Sequence, residues 1–128
     1  MRDHAPYQDR LNREPDFIVE YELDPCDEMK SSKPGQGMRV DFLYDGDDPS
    51  EDGIHMIWPE LLDKDGEVIL DTTPGNMDKA GKANMWVVDE TRRIYHAKRL
   101  KVGTKGYWVR GAFRLANVTV VQIGSLQC

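Results

Sequence analysis

The sequence is poor in cysteine and has no long apolar run. Cys26 stands in a polar stretch and Cys128 is the last residue. We therefore expect no disulfide framework, no zinc site and no cysteine nucleophile. No apolar run approaches the roughly 18 to 20 residues that span a bilayer. The N-terminal stretch also lacks the apolar centre of a secretory signal, so we expect a cytoplasmic protein without membrane contact.

Motifs for nucleotide and metal binding are missing as well. The segment Gly75–Lys82 looks like a phosphate-binding loop, but five residues separate its glycines, and Ala83 replaces the hydroxyl residue that reaches magnesium. In the acidic loop Asp45–Gly53, Pro49 occupies a position where an EF-hand needs a ligand. A solvated loop is expected there, with weak calcium binding as the alternative. The sequence predicts no cofactor and no nucleotide site.

Signatures of catalysis are absent too. The three histidines, His4, His55 and His96, share no metal-ligand spacing. There is no nucleophile elbow, no Ser-His-Asp order and no paired-carboxylate pattern. His96 lies among cations, which disfavours its protonation. We therefore predict that the protein is not an enzyme.

Acidic residues are missing from the end of the chain. Residues 1–90 carry all 23 acids and 9 of the 17 lysines and arginines, whereas residues 91–128 carry the other 8 cations and no acid. The formal charges are −14 and +8, which together give the net −6. Such asymmetry indicates either a surface for an anionic partner or two halves that neutralise each other across adjacent strands.

The length and the residue pattern indicate one β domain. A chain of 128 residues suits one domain and is too short for two. Residues 1–15 are polar and unpatterned, which predicts a flexible tail before a single domain over residues 16–128. Alternation in DFIVEYEL places Phe17, Val19, Tyr21 and Leu23 on one face of a strand. Further strands are expected at Met38–Tyr44, Ile54–Trp58, Ala83–Val88 and in a closing hairpin over 105–123, with a turn at Asp65-Gly66.

One segment, Asp89–Leu100, is ambiguous. We expect a helical turn over residues 90–93 that leads into a strand near 94–98. The alternative is a short helix with Asp89 as N-cap and a stripe of Ile94, Ala97 and Leu100. About seven short strands and no long helix predict an all-β fold, a closed six- or seven-stranded antiparallel β-barrel.

The basic end of the chain is the strongest candidate for a binding surface. Its cations are interleaved with Tyr95, Tyr107 and Trp108, a mixture that RNA-binding surfaces use. Tyr107 and Trp108 are adjacent in a strand, so at most one of them can face solvent. The candidate residues for an anionic partner are Arg92, Arg93, Lys98, Arg99, Lys101, Lys105, Arg110 and Arg114.

The last strands carry a resemblance to a known family. Trp108-Val109-Arg110-Gly111 and Arg114, followed by Ala116, Val118, Val120, Val121 and Ile123, resemble the end of the C-terminal β-barrel domain of translation elongation factor Tu. Gly35–Phe42 is similar to that family's strand after a Pro-Gly turn. The resemblance covers about a third of the chain and includes no GTPase domain. It implies a stand-alone six-stranded barrel of a type that, in the family, packs on a GTPase domain and touches tRNA.

These observations predict a non-catalytic cytoplasmic binding module that contacts a protein or RNA partner through its basic C-terminal surface. The oligomeric state stays open. The alternatives are a small enzyme, which needs His55, Glu60 or Tyr95 to converge in a cleft, and a small-ligand barrel with its pocket near Trp58 and Trp86. The candidate pocket residues are His55, Trp58, Glu60, Trp86 and Tyr95.

Overall fold

The computed structural model describes residues 6–8, 14–23, 36, 40–48, 51, 55–70, 79–110 and 113–126. The predictions for His4 and both cysteines lie outside the described residues. So do residues 49, 50, 52 and 53 of the acidic loop and residues 75–78 of the segment Gly75–Lys82.

Six strands form one antiparallel sheet, in the order β2-β5-β6-β1-β4-β3. A single turn of 3-10 helix, Glu90–Arg92, leads directly into the helix α1 between β4 and β5. The elements are β1 (Phe17–Leu23), β2 (Asp41–Tyr44), β3 (Ile57–Leu61), β4 (Ala80–Val87), α1 (Arg93–Arg99), β5 (Lys105–Arg110) and β6 (Phe113–Ile123).

The sheet curls into a half-barrel and does not close. Its edge strands β2 and β3 have only four and five residues, too few to build a long ladder between them. Among the described residues, the backbones of Phe42 and His55 make one isolated bridge near this seam, each N–H donating to the other's carbonyl at 2.8 and 2.9 Å. The antiparallel β prediction is confirmed and six strands are found, but the predicted closure of the barrel is wrong.

The concave face of the sheet holds the core. Phe17, Val19 and Tyr21 point inward from β1 while Glu20 and Glu22 are exposed, as the alternation predicts. Opposite them, the Trp108 ring stacks on Tyr21 with ring centroids 5.0 Å apart. Trp108 is fully buried and Tyr107 is half-buried, so the expected opposition of these neighbours is confirmed. Burial of side chains of this size contributes about 2 to 3 kcal/mol each and dominates the stability of the sheet.

Strand β3 lies three residues later than the predicted strand Ile54–Trp58. The structure places Pro59 inside β3, the strand at one end of the sheet. Proline is tolerated on an edge strand because its missing N–H is not needed by a second neighbour. The side-chain amide of Gln36 lies against this strand, accepting from the Leu61 N–H at 2.8 Å and donating to the Leu61 carbonyl at 2.9 Å.

The turn after β3 follows its sequence signal. The Asp63 N–H donates to the Glu67 carbonyl at 2.8 Å, and Leu62 bridges to Val68. Gly66 has φ +84°, a conformation that glycine adopts without the steric cost of a Cβ atom. The predicted turn at Asp65-Gly66 is therefore confirmed.

Helix α1 replaces the strand predicted near residues 94–98, and that prediction is wrong. Asp89 caps the preceding 3-10 turn by accepting from the Thr91 N–H at 3.0 Å. Leu100 belongs to the core, Ala97 packs against it, and His96 is buried as well. Ile94, expected in the apolar stripe of the helical alternative, is instead exposed. The buried side chain of α1 is thus that of His96, and not that of Ile94 as in the helical alternative.

Candidate functional site

A buried ion pair attaches α1 to the sheet. Asp16 is fully buried just before β1, and its Oδ1 accepts from Nε and Nη2 of Arg93 at 3.1 and 2.8 Å. Its Oδ2 accepts from the Val87 N–H at 2.7 Å. The Ser125 hydroxyl donates to Asp16 Oδ1 at 3.2 Å. The Nε and Nη2 atoms of Arg93 are therefore engaged within the fold, while 29% of the side-chain surface stays exposed.

Two arginines and a tyrosine form a ladder along the outside of α1. The Arg92 guanidinium carbon lies 4.5 Å from the centre of the Tyr95 ring, and Arg99 Nη1 donates to the Tyr95 hydroxyl at 2.6 Å. Spacings of three and four residues place these side chains on one helix face. Arg99 also donates to Asp47 Oδ1 at 2.6 Å and lies over the Tyr44 ring. The hydrogen bond that Arg99 donates to Asp47 raises the pKa of Arg99 further above its ordinary value.

Both ion pairs found among the described residues join the basic end of the chain to acids of its first half. Arg93 pairs with Asp16 and Arg99 pairs with Asp47. The acidic first half and the basic end of the chain therefore neutralise each other at these two arginines. The contacts join the helix to Asp16, just before β1, and to Asp47 in the loop after β2, and they do not run across adjacent strands.

The other predicted cations divide between two places. Lys98 and Lys101 are exposed on α1 and the turn after it, and no ion pair of theirs is found within the described ranges. Lys105 and Arg114 are exposed on the β5–β6 hairpin, where Arg114 lies over the Tyr107 ring at 3.7 Å. Arg110 is half-buried. The eight cations are thus not one continuous set of free charges, and α1 with its following turn carries the most concentrated group.

A pair of histidines lies beneath the ladder. His96 is buried, and its Nδ1 is 2.7 Å from the Tyr44 hydroxyl. The His55 ring meets His96 edge-on at 4.7 Å between centroids. His55 Nε2 is buried without a hydrogen-bond partner in the described part of the chain. No local pattern indicates the contact between Tyr44 and His96, because 52 residues separate them in the sequence.

Burial controls the protonation of this cluster. It lowers the pKa of His96 to about 4, with smaller contributions from His55, Arg92 and Arg99. Burial, followed by Arg92 and Arg99, also lowers the pKa of His55, and burial raises the pKa of Tyr44 above its ordinary value. The prediction that His96 resists protonation is confirmed, although burial rather than the neighbouring cations is the main cause. Burial therefore favours the neutral form of both imidazoles.

A cavity of about 320 Å³ adjoins the histidines, and Asp41, Met56, Val87 and Arg92 are among its lining residues. A larger cavity of about 500 Å³ lies between β4, β1 and β6, with Glu20, Lys82 and Thr119 among its lining residues. The strand registers place Glu20 between Lys82 and Thr119. No sequence motif indicated this second cavity, because it is created by pairing three distant strands. No group of three or more His, Cys, Asp or Glu side chains suited to a metal ion is found in the described ranges.

The five predicted pocket residues fall into two separate groups. His55 and Tyr95 meet beside α1, with ring centroids 5.6 Å apart. Glu60 lies within β3 and contacts the other group, where it accepts from Trp86 Nε1 at 3.2 Å. Of the three residues that the enzyme alternative names, His55 and Tyr95 are in contact, and Glu60 is not among the lining residues of the cavity at His55.

The space at Trp58 and Trp86 is occupied by the chain itself. The Tyr7 ring lies 6.4 Å from Trp58 and 6.0 Å from Trp86, and the Tyr7 N–H donates to Glu60 Oε2 at 2.7 Å. Residues 6–8 of the predicted tail therefore pack on β3 and β4. The cavity of about 320 Å³ adjoins one of the candidate pocket residues, His55.

Comparison of the chain with protein-family models, curated proteins and solved structures finds no match. Within the described residues, none of the helices has the length and apolar character needed to cross a membrane. A functional interpretation therefore depends on the surface of α1, the histidine cavity and the cleft that holds Tyr7.

Proposed function

We propose that the protein is a non-catalytic binding module that holds an acidic segment of another protein against α1 and the turn after it. The observation that carries this proposal is the mixture of exposed apolar and cationic side chains there. Ile94 is 69% exposed and Val102 is 64% exposed. Lys98 and Lys101 lie between them in the sequence and are also exposed. Apolar side chains rimmed by charges of one sign are typical of a surface that docks a partner of opposite charge.

The same surface is less suited to RNA. Single-stranded nucleic acid needs open aromatic faces on which bases can stack. Arg92 covers the Tyr95 ring, and His55 and His96 pack around it. Arg93 and Arg99, two of the predicted phosphate contacts, are engaged with carboxylates. These contacts favour a protein over a nucleic acid as the partner.

A role in translation is part of this proposal only through the resemblance of the last strands. In the elongation factor Tu family the C-terminal barrel packs on a protein domain, which is the kind of contact proposed here. The half-barrel is compatible with such a use, and the resemblance itself stays a prediction. We likewise propose a cytoplasmic location.

The test is a titration of the ¹⁵N-labelled full chain with two probes. One is a short helix-forming peptide of glutamate and leucine, and the other is a single-stranded oligouridine. We expect the peptide to shift the amide resonances of residues 92–102, and the RNA to shift them little at the same concentration. Binding of the RNA alone, or of neither probe, would overturn the proposed partner.

Two double variants separate charge from apolar contact. Lys98→Glu with Lys101→Glu should weaken peptide binding by up to about thirtyfold, since each reversed rim charge changes binding by up to about 1 kcal/mol. Ile94→Ser with Val102→Ser should weaken it comparably through lost apolar area. Lys64→Glu with Lys79→Glu is the matched control, because both lysines are exposed away from α1. An equal loss in the control would show that only net charge matters.

A further inference from the structure

The outer face of β3 and β4 carries an aromatic cleft built around a buried carboxylate. Trp58 pairs with Trp86 across the two strands, and Glu60 follows two residues after Trp58 on the same face. Ile57 and Met85 occupy alternate positions and point into the core, so the two tryptophans face the other way. Trp86 is nevertheless only 1% exposed. Part of the cover over this outward-facing side chain is the Tyr7 ring.

The contacts to Tyr7 have the form of peptide recognition. The Tyr7 ring meets Trp86 edge-on at 77° and lies tilted by 44° on Trp58. Glu60 accepts the backbone N–H of Tyr7 with one carboxylate oxygen and the Trp86 indole N–H with the other. A buried carboxylate requires donors, and one of these belongs to the N-terminal segment. Apolar pockets that also offer one well-placed polar group commonly recognise peptide side chains and backbone together.

Tyr7 is bound without being part of the inner core. The core cluster is made by strand residues together with Val40, Leu100 and Leu126, and Tyr7 does not belong to it. In sequence, residues 9–13 separate the docked residues from Glu14, whose carboxylate accepts from the Gln8 side chain at 3.2 Å. Removal of the Tyr7 ring would therefore empty the cleft and leave the concave core intact.

We propose that the cleft of Trp58, Glu60 and Trp86 takes the N-terminal segment as an exchangeable ligand, so that the segment of a second copy of the chain can occupy it. This surface is separate from α1, so it can be tested independently of the proposed function. A short tether holds its ligand at an effective concentration on the order of millimolar. A segment that is docked for most of the time must therefore bind more tightly than this, and several millimolar of free peptide should fill an emptied cleft.

The test uses full-length Tyr7→Ala labelled with ¹⁵N and observes the indole N–H resonance of Trp86. We expect this resonance to leave its wild-type position in the variant and to return toward it when a peptide of residues 1–13 is added at millimolar concentration. The same peptide with Tyr7→Ala should leave the resonance unmoved. Unlabelled wild-type chain, added in place of the peptide, should move it in the same direction as the peptide does.

Each other outcome contradicts the proposal. An unmoved resonance in Tyr7→Ala would show that the segment does not cover Trp86. A failure of the peptide or of the wild-type chain to restore the resonance would exclude exchange. An unfolded Tyr7→Ala chain would show that the segment is an integral part of the fold and not a separable ligand.

Discussion

Replacement of Asp16 by alanine tests the contact that holds α1 on the sheet. The substitution removes the acceptor of the Arg93 guanidinium and of the Val87 N–H, at 2.8 and 2.7 Å. It leaves a buried backbone N–H and a partly buried cation without this carboxylate. Removal of one partner from a buried ion pair costs about 3 to 5 kcal/mol, and an unpaired N–H alone costs about 1 to 3 kcal/mol. The two effects share one carboxylate, so we expect a total near 4 kcal/mol.

Urea unfolding followed by tryptophan fluorescence measures this loss directly, since two of the three tryptophans are almost completely buried. Asp16→Asn should lose less than Asp16→Ala, because the amide oxygen can still accept one hydrogen bond while the charge is lost. The matched control is Asp65→Ala in the exposed turn, which should change the free energy of unfolding by less than about 0.5 kcal/mol. A loss below about 1 kcal/mol for Asp16→Ala would refute the reasoning, because it would mean that this carboxylate does not hold the helix.

Two further perturbations test the histidine cluster and the close approach of β2 to β5. His96 has a pKa of about 4 in the fold against an ordinary 6.5, so the unfolded chain binds a proton first as the pH falls. The stability is therefore full above pH 6.5 and falls between pH 6.5 and pH 4. Wild type should therefore lose about 2 to 3 kcal/mol more than His96→Gln between pH 7 and pH 4 in urea titrations; parallel pH curves would contradict this. In Gly106→Ala, the added Cβ would lie 2.5 Å from Phe42 Cζ and 2.7 Å from the Leu43 carbonyl oxygen. Thermal unfolding should show a loss of about 2 kcal/mol, and an unchanged midpoint would mean that the strands separate easily.

Period-two alternation was a sufficient guide where a strand buries one face. Phe17, Val19 and Tyr21 are inside as predicted, because each lies on a strand with a neighbour on both sides. It was insufficient at the edge. The predicted strand Ile54–Trp58 begins and ends three residues before the observed strand Ile57–Leu61. The reason is that an edge strand accepts Pro59, and alternation alone does not reveal which strand is at an edge.

The helix depended on contacts that are remote in sequence. Arg93 bonds to Asp16 across 77 positions and His96 meets Tyr44 across 52. No local period in Asp89–Leu100 contains that information, so the sequence could favour a strand while tertiary packing selected a helix. The candidate site on α1 likewise depends on contacts that are remote in sequence. The cations were visible in the composition, but which of them stay available is decided by the acids and rings that the fold brings to them.

The Gln36 side chain has a consequence for how copies of this protein behave at high concentration. The outer strand of a sheet presents backbone groups that can recruit a strand from another molecule, which is a route to fibrils. At β3, proline removes one donor, and the Gln36 amide occupies both the donor and the acceptor of Leu61. Two side chains thus give this edge a local protection against intermolecular strand addition.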